Sequence, residues 1–335
     1  MSEPLLTYIV PVYNTEALVH RCLQSIVNQG LGDDEYEVIV IDDGSTDGSA
    51  AVVQAFADEH PQVRLLRQDN AGVSKARNHA IDQARGRFIQ FVDSDDYLCD
   101  DMMAALVRRA MDLDLDVLMF NYDGVELDGT PIPHQRKDVY GMTGVMTGAE
   151  YLAEHSLTPY VCWFIVDRGY LNRGHWRYNE DLMVCEDGAL NAQILLNAQR
   201  VAHDVASPYR YVHRPHSAMH NTDVDHIRRR LFSQVDAAVS IRDTIKRYEE
   251  KHETPAPASV AALSNVYLYF SMTKALQCGC VDEVLACIRQ AGLYPFPCVG
   301  PEAHYYGKKW KVIHALMMRP ALWKALSGIY RTIKR

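Results

Sequence analysis

The order of strands and helices in the first hundred residues is the strongest constraint on the fold. Short apolar runs that predict strands occupy residues 5–13, 36–41, 63–67 and 87–92. Segments with apolar residues at helical spacing lie between these runs. A chain that alternates strand and helix in this way forms a parallel sheet with helices on both faces. We therefore predict an α/β fold with a Rossmann-like, mostly parallel sheet and flanking helices.

After residue 100 the alternation stops. A strand is predicted at 117–126, an irregular loop at 130–147, a helix at 186–198, and strands at 200–204 and 209–213. From residue 223 onward the pattern is helical, with helices predicted at 224–250, 259–277, 281–291 and 304–333. The chain is therefore expected to have a first domain over 1–220 and a helical C-terminal region over 221–335.

Three carboxylates follow the fourth predicted strand directly: Asp93, Asp95 and Asp96. Like charges this close repel each other, so a cation or a set of positive groups is needed to neutralise them. Carboxylate oxygens suit divalent cations, and α/β sheets bind ligands at the carboxyl ends of their strands. These residues favour a site where a divalent metal meets a diphosphate. The alternative is a loop in which Ser94 and Asp96 cap the following helix.

Composition excludes several classes of protein. The 335 residues are 48% hydrophobic and 23% charged, as in an ordinary globular protein, and the net charge of -9 argues against general nucleic-acid binding. The sequence has neither an apolar stretch of about 20 residues nor a signal peptide, so a cytoplasmic location is expected. Eight scattered cysteines lack the spacing of a zinc site and are expected to be reduced.

The last part of the chain has a different charge from the rest. Residues 303–335 contain eight lysines and arginines and no acidic residue. Cations alternate there with aromatic and aliphatic residues, including Trp310 and Trp323. This composition is typical of a helix that lies in an anionic membrane surface, here the inner face of the cell membrane. The alternative is a helix that packs on the protein while its lysines extend to solvent.

Seven short motifs occur in one order along the chain. They are Pro11-Val-Tyr-Asn14, Asp42-Asp-Gly-Ser-Thr-Asp47, Asn70-Ala-Gly-Val-Ser-Lys-Ala-Arg-Asn78, Asp93-Ser-Asp-Asp96, Trp163-Phe-Ile-Val-Asp-Arg168, Glu186-Asp187 and Tyr209-Arg-Tyr-Val-His-Arg-Pro-His-Ser217. Each motif alone is common, but together they resemble a family 2 glycosyltransferase of the GT-A fold over about residues 5–220. The helical remainder carries none of the resemblance.

The resemblance implies an inverting, metal-dependent enzyme. It would move a sugar from a UDP-sugar to a hydroxyl of a glycan or lipid-linked acceptor in bacterial polysaccharide synthesis. Residues 1–100 would bind the nucleotide and residues 101–220 the acceptor. The donor-binding residues that it implies are Pro11, Tyr13, Asp42, Asp43, Asn70, Arg77, Asp93 and Ser94. A carboxylate of Asp42 or Asp43 could accept a hydrogen bond from the uracil imide.

The phosphate and metal ligands are implied in the same way. Arg77 can bind two phosphate oxygens with its planar guanidinium, or could instead pair with Asp69 or Asp96. The resemblance makes Asp95 the ligand of Mn²⁺ or Mg²⁺. A histidine, His213 or His216, would complete the metal shell.

The remaining implied residues are catalytic. Asp187 would be the general base that deprotonates the acceptor hydroxyl, and Glu186 would position the acceptor. Acids in a first helical turn are also favoured by the helix dipole without any catalytic role. Asp181, in the earlier pair Glu180-Asp181, lacks a following apolar helical pattern. Trp163 would stack on a sugar ring or fill the core.

Two alternative functions are weighed against the enzyme. An oxidoreductase of the Rossmann type is disfavoured because no GxGxxG motif follows the first strand. A non-catalytic scaffold that binds a nucleotide sugar would carry the same motifs.

Overall fold

The computed structural model describes residues 3–132, 140–214, 223–297 and 309–334. The chain divides into two compact units, each built from several segments. The first unit comprises Met1–Tyr151, Tyr160–Glu180 and Ala198–Pro215, and the second comprises Leu152–Pro159, Asp181–Asn197 and His216–Arg335. The division differs from the expected boundary at residue 220, because residues 181–197 cluster with the C-terminal helices.

The first unit contains a sheet of eight strands. The strands are β1 (Leu6–Val12), β2 (Tyr36–Asp42), β3 (Val63–Arg67), β4 (Phe88–Phe91), β5 (Tyr97–Leu98), β6 (Val117–Val125), β7 (Phe164–Asp167) and β8 (Val201–Val212). Their order in the sheet is β3-β2-β1-β4-β7-β6-β8-β5. The first four pair in parallel, as do β6 and β8, whereas β7 and β5 are antiparallel to their neighbours. The predicted mostly parallel sheet is confirmed.

Helices flank this sheet, as predicted for the fold class. They are α1 (Val19–Val27), α2 (Ser49–Glu59), α3 (Val73–Gln83), α4 (Met103–Asp112), α5 (Gly148–Glu154) and α6 (Arg168–Arg173). After β1 the sequence predicts a helix that opens at Asn14, but α1 begins only at Val19. Asn14 has a positive φ of 53°, and its side-chain oxygen accepts the backbone N–H of Thr46 at 2.8 Å. Asn14 therefore joins two loops instead of starting the helix.

The two strands expected at 200–204 and 209–213 form one strand, β8. The pairing of β6 with β8 continues on both sides of an irregularity between Phe120 and Tyr122. Within it the backbone N–H of Ala206 donates to Asp204 Oδ1 at 2.9 Å. Four residues of β8, 205–208, lie opposite the single residue Asn121 of β6, so β8 accommodates three extra residues while it remains in the same sheet.

The register of the strands determines which residues share an edge of the sheet. Ile9 in β1 pairs with Phe91, the last residue of β4, and Val12 pairs with Asp42 at the end of β2. Because β7 runs antiparallel to β4, its first residue, Phe164, lies toward the carboxyl end of β4. The loops after β1, β2 and β4 and the segment before β7 therefore meet at one edge.

The second unit is helical. Its helices are α7 (Glu186–Asn197), α8 (Val224–His252), α9 (Ala258–Cys278), α10 (Val281–Gln290), α11 (Lys309–Met317) and α12 (Pro320–Lys334). The prediction of one helix over 304–333 is wrong for the described part, where α11 and α12 are separate. Pro320 starts α12, because proline has no N–H for a continuing helix but suits a first helical position. Residues 304–308 lie outside the described ranges.

Aromatic residues of the basic tail pack inside the second unit. The ring of Trp310 lies 3.4 Å from that of Tyr269 between centroids. Trp323 Nε1 donates to the carbonyl of Met272 at 3.3 Å, and Ser327 Oγ donates to the carbonyl of Leu276 at 2.9 Å. Both tryptophans are buried. The described tail therefore packs on α9, as the alternative expectation had it.

The seven cysteines in the described ranges are all free thiols. Among the helices described, none combines the length and the hydropathy needed to cross a bilayer.

Glu37 in β2 is a buried carboxylate whose partners hold the sheet together. It accepts hydrogen bonds from Thr7 Oγ1 at 2.8 Å, the backbone N–H of Arg85 at 2.6 Å and Arg85 Nε at 2.9 Å. Burial by itself raises the pKa of Glu37, but these donors outweigh it and the pKa lies below its ordinary value. The charged form is thus stabilised in the folded protein.

We expect Glu37→Gln to lower the free energy of unfolding at neutral pH by about 1.5–3 kcal/mol, the usual size of hydrogen bonds to a charged group. Because the folded pKa is lowered, this stabilisation is present above the unfolded pKa and is lost as pH falls through the folded value. Urea unfolding at neutral pH and below about pH 4 should show the difference between the two proteins shrinking in acid. A difference independent of pH would contradict the assignment.

Candidate active site

Asp96 anchors the acid loop, defined as residues 93–96, to the neighbouring strand. It is 2% exposed; Tyr209 Oη donates to Asp96 Oδ2 at 2.6 Å, and the backbone N–H of Val212 donates to Asp96 Oδ1 at 2.8 Å. Burial, with the neighbouring carboxylates, raises the pKa of Asp96 well above its ordinary value. Neither Asp96 nor Ser94 caps α4. The N-cap position of α4 is Met102, and no side chain there forms a capping hydrogen bond. The helix-capping alternative is therefore wrong.

Asp93 is paired with the arginine expected to bind phosphate. Arg77 Nη2 lies 2.8 Å from Asp93 Oδ1, and the guanidinium lies 5.2 Å from the ring centroid of Tyr178. Cys162 Sγ donates to Asp93 Oδ2 at 3.4 Å. Arg77 is buried, and Asp93 is one of its partners. The structure thus holds a fixed cation against the acid loop.

Asp95 forms an ion pair with Arg214, which follows β8. Burial and the charge of Asp93 raise the pKa of Asp95, while Arg214 lowers it. The side chain of Asp95 is 23% exposed, so a ligand can reach it. Arg214 belongs to the motif at 209–217, but the sequence did not predict its pairing with Asp95.

The expected histidine ligand is not brought into a metal cluster. His213 is exposed, and its backbone N–H donates to the carbonyl of Val125 at 2.8 Å. Within the described ranges, no group of three or more His, Cys, Asp or Glu side chains is arranged to hold a metal ion. The other candidate, His216, lies outside the described residues.

The donor set of the acid loop nevertheless fits Mg²⁺ or Mn²⁺. Asp93 and Asp95 offer hard carboxylate oxygens on partly exposed side chains. Magnesium keeps several waters and commonly binds through one or two carboxylates together with substrate phosphates, so a three-residue cluster is not required. An ion at Asp95 would share or displace the contact with Arg214.

The loops after β1 and β2 are joined to each other. The backbone N–H of Asn14 donates to Ser45 Oγ at 3.1 Å, and Asn14 Oδ1 accepts from Thr46. Tyr13 is 49% exposed and Pro11 is partly exposed. Two residues expected to contact the nucleotide are thus accessible at the end of β1.

Asp43 organises the loop that leads into α3. It accepts hydrogen bonds from Gln68 Nε2 at 2.8 Å and from the backbone N–H groups of Ala71 and Gly72, both at 2.9 Å. Asp42 accepts the backbone N–H of Ser45 at 3.1 Å. Both aspartates are 4% exposed, and these contacts give them a structural role in addition to the expected uracil contact.

Two more donor-binding candidates lie in this region. Asn70 is exposed. The backbone of Gly44 lies so close to it that a Cβ on Gly44 would be 2.8 Å from the backbone nitrogen of Asn70. Gly44 also has a positive φ of 75°, so glycine is required there. Ser94 is buried, and its Oγ accepts from Thr15 Oγ1 at 3.1 Å. Ser94 therefore links the acid loop to the chain after β1.

The proposed base and its neighbour begin α7 in the second unit. Glu186 and Asp187 occupy the first turn, where the helix dipole favours acids, and both are partly buried. The preceding Cys185 has a positive φ of 66°, and burial, with the charge of Glu186, raises its pKa to about 12. Asp181 is exposed and lies in a turn instead of a helix.

Gly188, the residue after the acidic pair, leaves space for a tyrosine of α9. A Cβ at Gly188 would lie 2.0 Å from Tyr267 Oη and 3.1 Å from Leu263 Cδ2. Tyr267 is buried, so its ring cannot move aside without loss of packing. The close approach of α9 therefore fixes the position of the first turn of α7.

We expect Gly188→Ala to destabilise the second unit by about 1–3 kcal/mol, the usual cost of overpacking. The double variant Gly188→Ala/Tyr267→Phe removes the colliding oxygen and should recover most of the loss. Thermal melting of the two single variants and the double variant measures this coupling. Additive effects of the two substitutions would show that the collision is not the cause.

Sequence reasoning missed several contacts that complete the site. Tyr209 donates to Asp96, and its Oη also accepts the backbone N–H of Asp93 at 3.2 Å. Trp163 stacks on Tyr122 with ring centroids 3.6 Å apart and an interplanar angle of 11°. Alternation along β8 could have placed Tyr209 on the side of the acid loop, whereas the partner of Trp163 depends on the pairing of distant strands.

The sequence and the fold of this chain both match known proteins. The sequence profile described as Glycosyl transferase family 2 matches residues 7–174. "Uncharacterized glycosyltransferase YibD" of Escherichia coli K12 is 31% identical over 68% of this chain and 65% of its own length. "Succinoglycan biosynthesis protein ExoO" of Rhizobium meliloti is 31% identical over 67% of this chain and 65% of its own. The chain thus spans less than two thirds of these relatives.

Solved structures share the fold. The crystal structure of S. aureus TarS 1–349 superposes with a TM-score of 0.67 at 21% identity, covering 98% of this chain and 91% of that one. The same protein has also been solved in complex with UDP and with UDP-GlcNAc. At 21% sequence identity, this likeness concerns the fold, which is the arrangement of strands and helices.

Proposed function

Because the chain belongs to glycosyl transferase family 2, we propose that it transfers a sugar from a UDP-sugar to a hydroxyl of a glycan or lipid-linked acceptor, inverting the anomeric configuration. The central observation is the acid loop at the carboxyl end of β4, with Arg77 held 2.8 Å from Asp93. Carboxylates and a buried guanidinium at one place suit a metal-bound diphosphate. The proposed setting is bacterial surface polysaccharide synthesis, in line with the name of the ExoO relative.

The nucleotide would lie along the ends of β1 and β2. Tyr13 is exposed there, and Asp42 and Asp43 supply carboxylate acceptors for the uracil imide. The TarS complexes with UDP and UDP-GlcNAc support uracil as the base bound by a protein of this fold. Asn70 and Ser94 complete the proposed donor contacts.

The diphosphate would bind between the acid loop and α3. Arg77 can bind two phosphate oxygens, and it lies in the first turns of α3 (Val73–Gln83), whose N-terminus favours negative charge. Asp95, with Asp93, would hold Mn²⁺ or Mg²⁺. When bound, such an ion stabilises negative charge on the departing UDP.

Asp187 is the proposed general base. Its carboxylate would take the proton of the acceptor hydroxyl as that oxygen attacks the anomeric carbon from the side opposite UDP. One displacement of this kind inverts the configuration. Glu186 would accept hydrogen bonds from the acceptor and orient it. The fixed first turn of α7, beside Gly188 and Tyr267, supports a precise position for both acids.

The basic tail is proposed to bring the enzyme to the inner face of the membrane. Lys311 and Val312 in α11, Arg319 between the two helices and Leu322 in α12 are exposed, although the tryptophans pack inward. Each basic residue near an anionic surface contributes about 1 kcal/mol.

We expect Lys311→Glu/Arg319→Glu to lower binding to phosphatidylserine vesicles by at least about tenfold. Both side chains are exposed, so the fold should remain intact. Sedimentation with anionic and with neutral vesicles measures the effect. Equal binding by the variant and the unchanged protein would remove the membrane role.

Release of UDP tests the proposed function. The full chain is incubated with a panel of UDP-sugars and Mn²⁺, and free UDP is measured in the presence and absence of a bacterial glycan extract. An enzyme releases UDP repeatedly, and the release is lost in Asp187→Asn. A scaffold protein would bind the UDP-sugar and release none.

A further inference from the structure

We infer that Tyr160 and Tyr211, supported by Tyr122 and Trp163, form an aromatic platform on which the pyranose ring of the donor sugar stacks. This aromatic platform consists of those four residues, all in the first unit. The inference rests on the proposed function, because it assigns residues to the sugar end of the same donor.

The four rings form one connected cluster. Trp163 stacks on Tyr122 at 3.6 Å between centroids, so one face of the indole is covered. Tyr160 lies 4.4 Å from Trp163 and 6.4 Å from Tyr211 between centroids. Tyr160 is 44% exposed and Tyr211 is 36% exposed, whereas a core cluster would be buried. The inner pair therefore supports an outer pair that faces solvent.

The strand register places this platform beside the acid loop. Tyr122 in β6 pairs with Tyr209 in β8, so the two side chains lie on the same face of the sheet. Tyr211, two residues after Tyr209, shares that face because side chains alternate along a strand. Tyr209 Oη donates to Asp96, so this face is the one that carries the acid loop.

The segment before β7 gives a second, independent link. Cys162 Sγ donates to Asp93 Oδ2 at 3.4 Å, and Trp163 is the next residue in the chain. The pKa of Tyr211 is raised to about 12. Burial is the largest cause, Tyr160 is the second, and the nearby carboxylates of the acid loop add to them. The platform thus adjoins the acid loop on the side away from β1 and β2.

Chemistry identifies the occupant. Nucleotide contacts are assigned to β1 and β2, and the diphosphate to the acid loop after β4, so a ligand that continues along the edge reaches β7, β6 and β8. The first group beyond a diphosphate in a UDP-sugar is the pyranose ring, which is attached directly to the second phosphate. One face of a pyranose ring presents C–H bonds, and these pack on the negative face of an aromatic ring. Donor sugar is therefore the expected occupant.

Trp163 itself is assigned a supporting role. The sequence suggested that it stacks on a sugar ring or fills the core, but Tyr122 already covers one of its faces. The sugar contact passes to the exposed neighbours, Tyr160 and Tyr211.

Calorimetric titration of the full chain with UDP, UDP-glucose and UDP-GlcNAc, in the presence of Mn²⁺, tests the platform. We expect Tyr160→Ala and Tyr211→Ala each to weaken binding of at least one UDP-sugar by about 3- to 10-fold and to leave UDP binding unchanged. Tyr160→Phe and Tyr211→Phe keep the ring and should keep the affinity. Phe270→Ala, which removes an aromatic residue 37% exposed in α9, is the matched control and should change neither.

The outcomes separate this inference from the proposed function. If the unchanged protein binds no uridine nucleotide, the proposed function fails and the platform fails with it. If UDP binds but the two alanine variants bind UDP-sugars as tightly as the unchanged protein, the platform alone is wrong. Equal weakening of UDP and UDP-sugar would also overturn it, because the residues would then act on the nucleotide. Thermal melting of each variant confirms that it is folded.

Discussion

Replacing Asp187 by asparagine is expected to lower the rate of sugar transfer by about 10²- to 10⁴-fold, the usual contribution of a general base. The amide has nearly the same shape as the carboxylate but cannot accept the proton of the acceptor hydroxyl. The first turn of α7 should keep its position, because Gly188 and Tyr267 fix it independently of this side chain. Initial rates of UDP release, measured at saturating UDP-sugar, give the effect.

The matched control is Asp181→Asn, the corresponding change in the earlier acidic pair. Asp181 is exposed and lies in a turn, so its replacement should leave the rate unchanged. Binding of UDP should be the same in both variants, because neither residue is assigned to the donor. If Asp187→Asn keeps full transfer, or if Asp181→Asn loses it, the base has been assigned to the wrong residue.

Replacing Asp95 by asparagine is expected to reduce transfer by at least about 100-fold, because the loss of a metal ligand removes several kcal/mol of charge stabilisation. A neutral amide is a weaker ligand for Mg²⁺ or Mn²⁺ than a carboxylate. The substitution also leaves Arg214 without its carboxylate partner. Chelation of divalent cations should reduce the unchanged protein to a similar rate.

The control for Asp95 is Asp100→Asn, a change of the same kind in an exposed residue after β5. It should retain full activity and its dependence on divalent cations. Rates are measured over a range of Mn²⁺ concentrations. Activity that persists in excess chelator, in either the unchanged protein or Asp95→Asn, would show that the acid loop does not act through a metal.

Much of the first unit could be predicted from local sequence. Apolar periodicity and turn residues predict a strand at 36–41 and a helix after Gly72 that runs through Ala84. In the structure β2 ends at Asp42 and α3 ends at Gln83, each one residue from the prediction. The acid loop could also be located, because it directly follows a buried strand. Parallel pairing then determines which loops meet at the edge.

Other features depend on contacts between distant segments. The single strand β8 requires pairing with β6 across a bulge, which no local pattern reveals. The clustering of α7 with the C-terminal helices depends on a glycine that admits Tyr267, some 80 residues later in the chain. The pairs Arg77–Asp93 and Arg214–Asp95 likewise arise only once the strands are assembled.

Calorimetric titration of UDP into the full chain, with and without Mn²⁺, measures whether the acid loop binds a nucleotide through a metal. We expect binding that requires the divalent cation and is abolished in Asp95→Asn. Equal binding of UDP in excess chelator, or no binding of any uridine nucleotide under either condition, would show that the acid loop is not a metal-dependent nucleotide site.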